Sequence, residues 1–155
     1  MQKFERADFE VQEYVESENY GKFVLSPLER GFGTTIGNAL RRVLLSSLPG
    51  AAVFSIKVDG VYHEFTSIPG VREDVSMIIL QLKQLVMKIE DDEVYTLQIS
   101  AKGPCTITAG DIICPAQVEV INKDLEIAHL EKDVTLEMEL KAKNGRGYIS
   151  ADLNK

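Results

Sequence analysis

The stretch that decides the fold runs from Leu28 to Gly50 and reads L-E-R-G-F-G-T-T-I-G-N-A-L-R-R-V-L-L-S-S-L-P-G. It predicts one long helix that begins near Thr34 or Thr35, whose hydroxyls can accept hydrogen bonds from free backbone N–H groups. The helix must end before Pro49-Gly50, because proline has no N–H to donate and its ring obstructs the preceding turn.

The predicted helix carries two different apolar surfaces. At about 100° per residue, the main stripe contains Ile36, Leu40, Val43, Leu44 and Ser47. The opposite side contains Asn38, Arg41, Arg42 and Leu45. Arginine is enriched at protein interfaces, since its planar head makes paired hydrogen bonds and its stem covers apolar surface. A solvated face is the simpler interpretation, but Leu45 between two arginines slightly favours an interface.

Strands are predicted on both sides of this helix. Between Asp8 and Leu28 we expect two strands joined by a turn near Asn19, although the apolar alternation slips at Tyr14-Val15. After the helix, residues 53–58 alternate between apolar and polar. Asp59-Gly60 is typical of a tight hairpin turn, so residues 61–65 are expected to form the return strand.

A second helix is predicted from about Glu73 to Lys88, with Val75, Ile78, Ile79, Leu82 and Val86 as its apolar stripe. Strands are expected over residues 94–100 and 134–141, separated by a loop-rich stretch over residues 103–123. This succession of strands, helix, strands, helix and strands indicates an α+β fold rather than a parallel α/β sheet.

Composition excludes several classes of protein. A chain of 155 residues with 45% hydrophobic and 26% charged residues is typical of a globular protein with one core or two small subdomains. The net charge of −7 argues against a general nucleic-acid surface, which needs clustered Lys and Arg. No apolar run approaches membrane-spanning length. Two cysteines are too few for a fold stabilised by several disulfides, so an intracellular, reduced protein is expected.

Catalytic, metal and cofactor sites find little support in the residue pattern. The glycines of Gly31-Phe32-Gly33 and Gly37 depart from the nucleotide-binding spacing, and a sharp turn with close packing at Gly37 is the better interpretation. The candidate ligands His63, His129, Cys105 and Cys114 are scattered, and both histidines are expected in strands. The run Asp91-Asp92-Glu93 is expected to be a solvated turn.

Four blocks of the sequence carry a resemblance to a known family. They are the Leu28–Gly50 stretch, D-G-V-Y-H-E-F from Asp59, G-V-R-E-D from Gly70 and G-R-G-Y from Gly145. With this spacing the chain resembles the amino-terminal domain of the bacterial DNA-directed RNA polymerase alpha subunit over almost its whole length.

The resemblance implies two subdomains. Residues 1–50 would be the first segment of a dimerisation subdomain, and residues 51–155 an inserted, mostly antiparallel β subdomain with one helix. In the family, a return strand, a second dimerisation helix, a linker and a DNA-binding carboxy-terminal domain follow the point matching Lys155. We therefore expect dimerisation by this chain to be impaired and no direct DNA contact from it.

The resemblance also implies a function. The chain would be a non-catalytic, cytoplasmic assembly scaffold without metal or cofactor, catalysis belonging to the two large subunits. The main helix stripe would serve both the core and the contact between two alpha subunits. Asn38, Arg41, Arg42 and Leu45 would dock the beta subunit, with Arg42 at the centre. Lys83 matches a position associated with beta-prime contact. The rival hypotheses are a small nucleotide-binding protein and a freestanding protein-binding module.

Overall fold

The computed structural model describes residues 6–18, 20–131 and 133–154. The chain divides into two compact units, Met1–Ser46 and Ser47–Lys155, called the first and the second unit below. The predicted α+β class is confirmed, because the described residues form mostly antiparallel strands with two α-helices. Asn19, in the predicted turn, and the terminal Lys155 lie outside the described residues.

The first unit begins with an antiparallel hairpin of β1 (Asp8–Val15) and β2 (Tyr20–Ser26), as predicted. Its register shifts between Val11 and Glu13, so the residue between them is extra in the ladder. This bulge explains the slip in the alternation, because it returns Tyr14 to the face of β1 that carries Val11.

The helix α1 (Phe32–Ser46) completes the first unit. The predicted start near Thr34 or Thr35 is wrong, because the chain has already turned into the helix. Gly31 adopts a φ of 93°, and the Phe32 N–H donates to the Glu29 carbonyl at 3.1 Å. The predicted end is confirmed, since α1 stops at Ser46 before the proline.

The second unit holds seven strands and one α-helix in its described residues. In chain order they are β3 (Pro49–Val58), α2 (Val75–Leu82), β4 (Met87–Ile89), β5 (Tyr95–Lys102), β6 (Cys105–Thr108), β7 (Val118–Val120), β8 (Glu126–Leu130) and β9 (Thr135–Arg146). The main sheet has the order β3–β9–β5, and β4 pairs with β7 and β6 with β8, all antiparallel. Residues 103–123 therefore contain two short strands that the loop-rich prediction lacked.

The predicted hairpin around Asp59-Gly60 is only half right. Gly60 has the positive φ of 76° that the turn requires, but residues 61–65 form no strand. β3 pairs instead with β9, matching Val58 to Met138 and Pro49 to Arg146. This register also places Pro49 inside a strand of the second unit, so the expected subdomain boundary after Gly50 falls within β3.

The predicted second helix is too long. Asp74 caps α2, its carboxylate accepting the Met77 N–H at 2.8 Å, and the helix ends at Leu82. Beyond it, burial alternates every second residue from Leu85 to Ile89, which is the period of a strand rather than of a helix. The Asn122 side chain accepts the N–H of Val86 and so replaces a helical bond.

The apolar core lies in the second unit. Its large, fully buried side chains come from α2, β5, β6, β8 and β9 and are Ile78, Leu97, Ile99, Ile107, Ile127 and Leu140. One face of the main sheet is thus covered, while the other carries polar residues such as Lys57, Gln98 and Glu139, which pair across its three strands. Such one-sided burial is typical of an antiparallel sheet.

Candidate protein-interaction surface

Helix α1 has no buried side chain. The main stripe predicted from the sequence lies on one side, where Ile36 is half-buried. The other large members are strongly exposed: Leu40 by 51%, Val43 by 50% and Leu44 by 62%. A contiguous apolar stripe left in water marks a surface that binds a partner or aggregates.

The opposite side of α1 carries the second predicted group, Asn38, Arg41, Arg42 and Leu45. Leu45 is 64% exposed. Among the described residues, no carboxylate forms an ion pair with Arg41 or Arg42. The carbonyl of Arg42 accepts a hydrogen bond from the Ser46 hydroxyl at 2.6 Å, which satisfies one of the last acceptors of the helix. Because neither arginine side chain is in such an ion pair, both guanidinium groups are available to bind acidic or carbonyl oxygens.

The hairpin of the first unit has an apolar face that the sequence analysis missed. The β1–β2 register places Phe9, Val11, Tyr14, Phe23 and Leu25 on this face. The rings of Phe9 and Phe23 stack with centroids 5.5 Å apart. A Cβ at Gly21 would lie 2.7 Å from the Phe23 ring, so a larger residue there would displace that ring. The slip in the apolar–polar alternation at Tyr14 could have indicated this face, because a β-bulge before Tyr14 explains the slip and aligns Tyr14 with Val11.

The first unit therefore has no core of its own. Not one of its described residues is buried. A two-stranded hairpin and a 15-residue helix are each marginal in water without tertiary cover. It follows that the apolar faces of the first unit are suited to association with another protein surface.

The glycine turn before α1 has the geometry of a helix entry. Gly31 needs glycine for its positive φ. A Cβ at Gly33 or Gly37 would meet no atom within 4 Å, so the close packing expected at Gly37 does not occur with any described residue of this chain. Gly37 instead leaves an open notch on the exposed helix.

Lys83, the predicted contact on the second helix, directly follows α2 and is its C-cap residue. Its side chain is exposed. Two large apolar residues of α2, Met77 and Leu80, are also exposed, by 45% and 52%. The structure thus places Lys83 at one end of an exposed apolar helix face. The predicted interface residues of α1 all belong to the first unit.

The candidate ligands for chemistry are dispersed. His63 is not in a strand as predicted; it lies exposed in a turn, with Nδ1 3.2 Å from the Thr66 hydroxyl. His129 lies in β8 as predicted. Cys105 and Cys114 are free thiols, and burial raises the pKa of Cys114. In the described ranges, no three His, Cys, Asp or Glu side chains are grouped as a metal would require.

The acidic run from Asp91 is an ordered turn. The Asp91 carboxylate accepts the Tyr95 hydroxyl at 2.6 Å and the Glu93 N–H at 3.0 Å. The Tyr95 hydrogen bond, followed by the backbone one, lowers the pKa of Asp91, and the same bond raises the pKa of Tyr95 to about 12. These contacts engage the Asp91 carboxylate within the turn itself, as expected for a surface feature.

No helix in the described part of the chain combines the length and the apolarity needed to cross a bilayer.

Comparison with known proteins gives consistent matches. Residues 56–155 match the family model described as the RNA polymerase Rpb3/RpoA insert domain. Over its whole length the chain is 55% identical to a DNA-directed RNA polymerase subunit alpha of Alkaliphilus metalliredigens, and 54% identical to one of Desulfitobacterium hafniense. The corresponding subunit of Desulforudis audaxviator is also 55% identical. The chain spans about half the length of these relatives, 49% in each case.

Proposed function

Because this chain belongs to the RNA polymerase Rpb3/RpoA insert domain family, we propose that it is a non-catalytic assembly scaffold of a bacterial DNA-directed RNA polymerase. In this role it pairs with a second copy and docks the beta and beta-prime subunits. The observation that carries the proposal is a 15-residue helix, α1, with no buried side chain and two unlike exposed faces. Such a helix is organised for partners rather than for a core of its own.

The main stripe of α1 is proposed as the self-association face. Leu40, Val43 and Leu44 are each at least half exposed. Fully burying such side chains is worth roughly 1.5–3 kcal/mol each. The apolar hairpin face adds Phe9 and Phe23, which are similarly exposed. Together these residues supply the apolar area that association of two copies would bury.

The opposite face of α1 is proposed to dock the beta subunit. Arg41 and Arg42 flank Leu45, and the sequence holds no Asp or Glu between Glu29 and Asp59. A chain of net charge −7 thus keeps its longest acid-free stretch around this face. Arginine is enriched among the residues that carry most of the binding energy at protein interfaces, and the arginine stems can cover an apolar side chain such as that of Leu45.

Lys83 is proposed as a beta-prime contact. The support is its exposed position at the end of α2, next to the exposed side chains of Met77 and Leu80. A lysine beside an apolar patch can bury its stem while its ammonium stays in water. The role itself comes from the family resemblance.

The dimer proposal is tested by sedimentation equilibrium of the chain over a concentration series. Wild type should associate only weakly, as expected from the sequence, and Leu40→Asn should weaken association at least a further tenfold, because a polar side chain then enters the apolar contact. Tyr62→Asn is the matched control, since Tyr62 is 96% exposed in the second unit. Equal association by wild type and Leu40→Asn would refute this role for the stripe.

The partner proposal is tested by capture of separately expressed beta and beta-prime subunits on the immobilised chain. Arg42→Ala should lose beta capture, while Lys83→Ala should lose only beta-prime capture. Lys22→Ala, an exposed cation of the hairpin, should lose neither. Capture of both large subunits by all three variants would contradict the assignment of these faces. Failure of the wild-type chain to capture either large subunit would favour a freestanding protein-binding module.

A further inference from the structure

Residues 70–72 form an added edge beside β8. Val71 bridges to Leu130, the Arg72 N–H donates to the His129 carbonyl at 2.9 Å, and the Glu131 N–H donates to the Gly70 carbonyl at 2.9 Å. Because β6 already pairs with β8 through Leu130, these residues occupy the other edge of that strand. A segment this short needs a further tie to remain paired.

Glu73 supplies that tie. Its carboxylate accepts the backbone N–H of His129 at 2.7 Å and contacts the His129 ring nitrogen Nδ1 at 2.7 Å. The Arg72 guanidinium donates to the same carboxylate at 3.1 Å. The Glu73 side chain is only 13% exposed, so both carboxylate oxygens are engaged in a largely buried position.

The second ring nitrogen of His129 faces another carboxylate. His129 Nε2 lies 3.5 Å from Glu126 Oε2 on the same strand. From β6, the residue opposite His129 is the uncharged Thr106, and from the added edge the charged groups are Arg72 and Glu73. A protonated imidazole can donate from both nitrogens, whereas a neutral ring presents a lone pair at one of them.

We propose that Glu73, His129 and Glu126 form a pH-sensitive staple, which holds residues 70–72 on β8 while His129 is protonated and weakens when the ring loses its proton. The charged ring makes a charge-assisted hydrogen bond to the Glu73 carboxylate and an ion pair with the Glu126 carboxylate 3.5 Å away. The neutral ring keeps the Glu73 contact through Nδ1–H, but then turns a lone pair toward Glu126. The staple ends immediately before Asp74, so it also anchors the start of α2.

The charge of Glu73 is suited to this role. Burial alone would raise the pKa of Glu73, but hydrogen bonds from the His129 backbone and ring outweigh it, and the pKa is lowered from its usual value. Glu73 therefore stays ionised throughout the range of about pH 5–8 in which histidines titrate. Over that range, Glu73 supplies a fixed negative charge to the staple.

The test is amide hydrogen exchange of the full chain by NMR between pH 5 and pH 8, corrected for intrinsic exchange rates. Protection of the Arg72 and Glu131 amides should fall about fivefold as the pH rises, the ratio expected for the loss of about one net hydrogen bond. The amide of Leu140 in the core reports global stability, which includes the staple, so its protection should fall by no more than this factor. Unchanged protection of the Arg72 and Glu131 amides would overturn the proposal.

Three variants sharpen the test. Glu126→Gln alters an exposed side chain and should let the loss of protection begin at lower pH, because one negative charge beside the ring is gone. Glu73→Gln should leave both amides weakly protected at every pH. His63→Gln replaces the only other histidine, which contacts a hydroxyl rather than a carboxylate, and should keep the wild-type profile. A wild-type profile in Glu126→Gln would also refute the staple.

Discussion

The two units of this chain have nearly opposite relations to water. In the second unit, side chains from a helix and several strands bury one another completely, as Ile78, Leu97 and Leu140 do. In the first unit, none of the described residues is buried, although its strands and helix are rich in large apolar side chains. The second unit is thus organised around its own core, while the first has exposed apolar faces that a partner surface can bury.

The strongest way to break this comparison is a pair of leucine truncations. Leu140→Ala removes a side chain with no exposure and should lower the free energy of unfolding by about 2–5 kcal/mol, through lost burial and the cavity left behind. Leu44→Ala, at 62% exposure, should change it by no more than about 0.5 kcal/mol. Urea unfolding at low protein concentration measures both; similar losses would mean that the first unit has a core of its own.

A second prediction concerns Arg42, which should matter for binding and not for folding. Arg42→Ala should weaken beta-subunit binding by about 2 kcal/mol or more, the usual loss for a buried interface arginine. Arg42→Lys should also weaken it, because lysine lacks the two-pronged donor geometry. Titration calorimetry measures the binding. A sharp drop in the melting temperature of Arg42→Ala would instead show that Arg42 supports the fold.

A third prediction tests an electrostatic contribution to the second unit. Because the folded-state pKa of Glu73 is lowered, its stabilisation is present above the unfolded-state pKa and is lost as the pH falls through the folded value. Glu73→Gln should therefore lower the free energy of unfolding at pH 7 by about 1–2 kcal/mol. The difference from wild type should shrink below about pH 4. A difference that is constant down to pH 3 would contradict this account.

The smallest expected effect is at Gly37. Gly37→Ala should stabilise α1 by at most about 1 kcal/mol in the chain alone, because alanine favours helix and the site is open. If the open notch at Gly37 receives a second copy closely, the same change should weaken self-association. Sedimentation separates these effects. Stronger association by Gly37→Ala would show that the notch stays free in the dimer.

Much of the fold could be predicted because local patterns determine it. The alternation in β5 and β9, the hairpin of the first unit, the end of α1 before Pro49 and the α+β class all follow from short-range periodicity and turn chemistry. The family also follows from the sequence, since the blocks from Leu28, Asp59, Gly70 and Gly145 are read directly from the residues.

The candidate site was predicted as two helix faces, and the structure adds how exposed they are. Residue spacing separates Leu40 from Arg42 on α1, because the helical period is fixed. Spacing cannot say whether such a stripe meets a core, and only the burial of each side chain reveals that Leu40 and Leu44 remain in water. The beta and beta-prime contacts of Arg42 and Lys83 stay predictions.

Sequence by itself determined the periodicities of this protein, its charge distribution and its family. Tertiary structure decided which segments meet. β3 pairs with β9 rather than with the residues that follow its turn, the end of the predicted second helix becomes β4, and Glu73 reaches His129 across 56 positions. The physical reason is that a strand's partner and a side chain's ligand depend on burial and hydrogen bonding between distant segments, which local propensity does not encode.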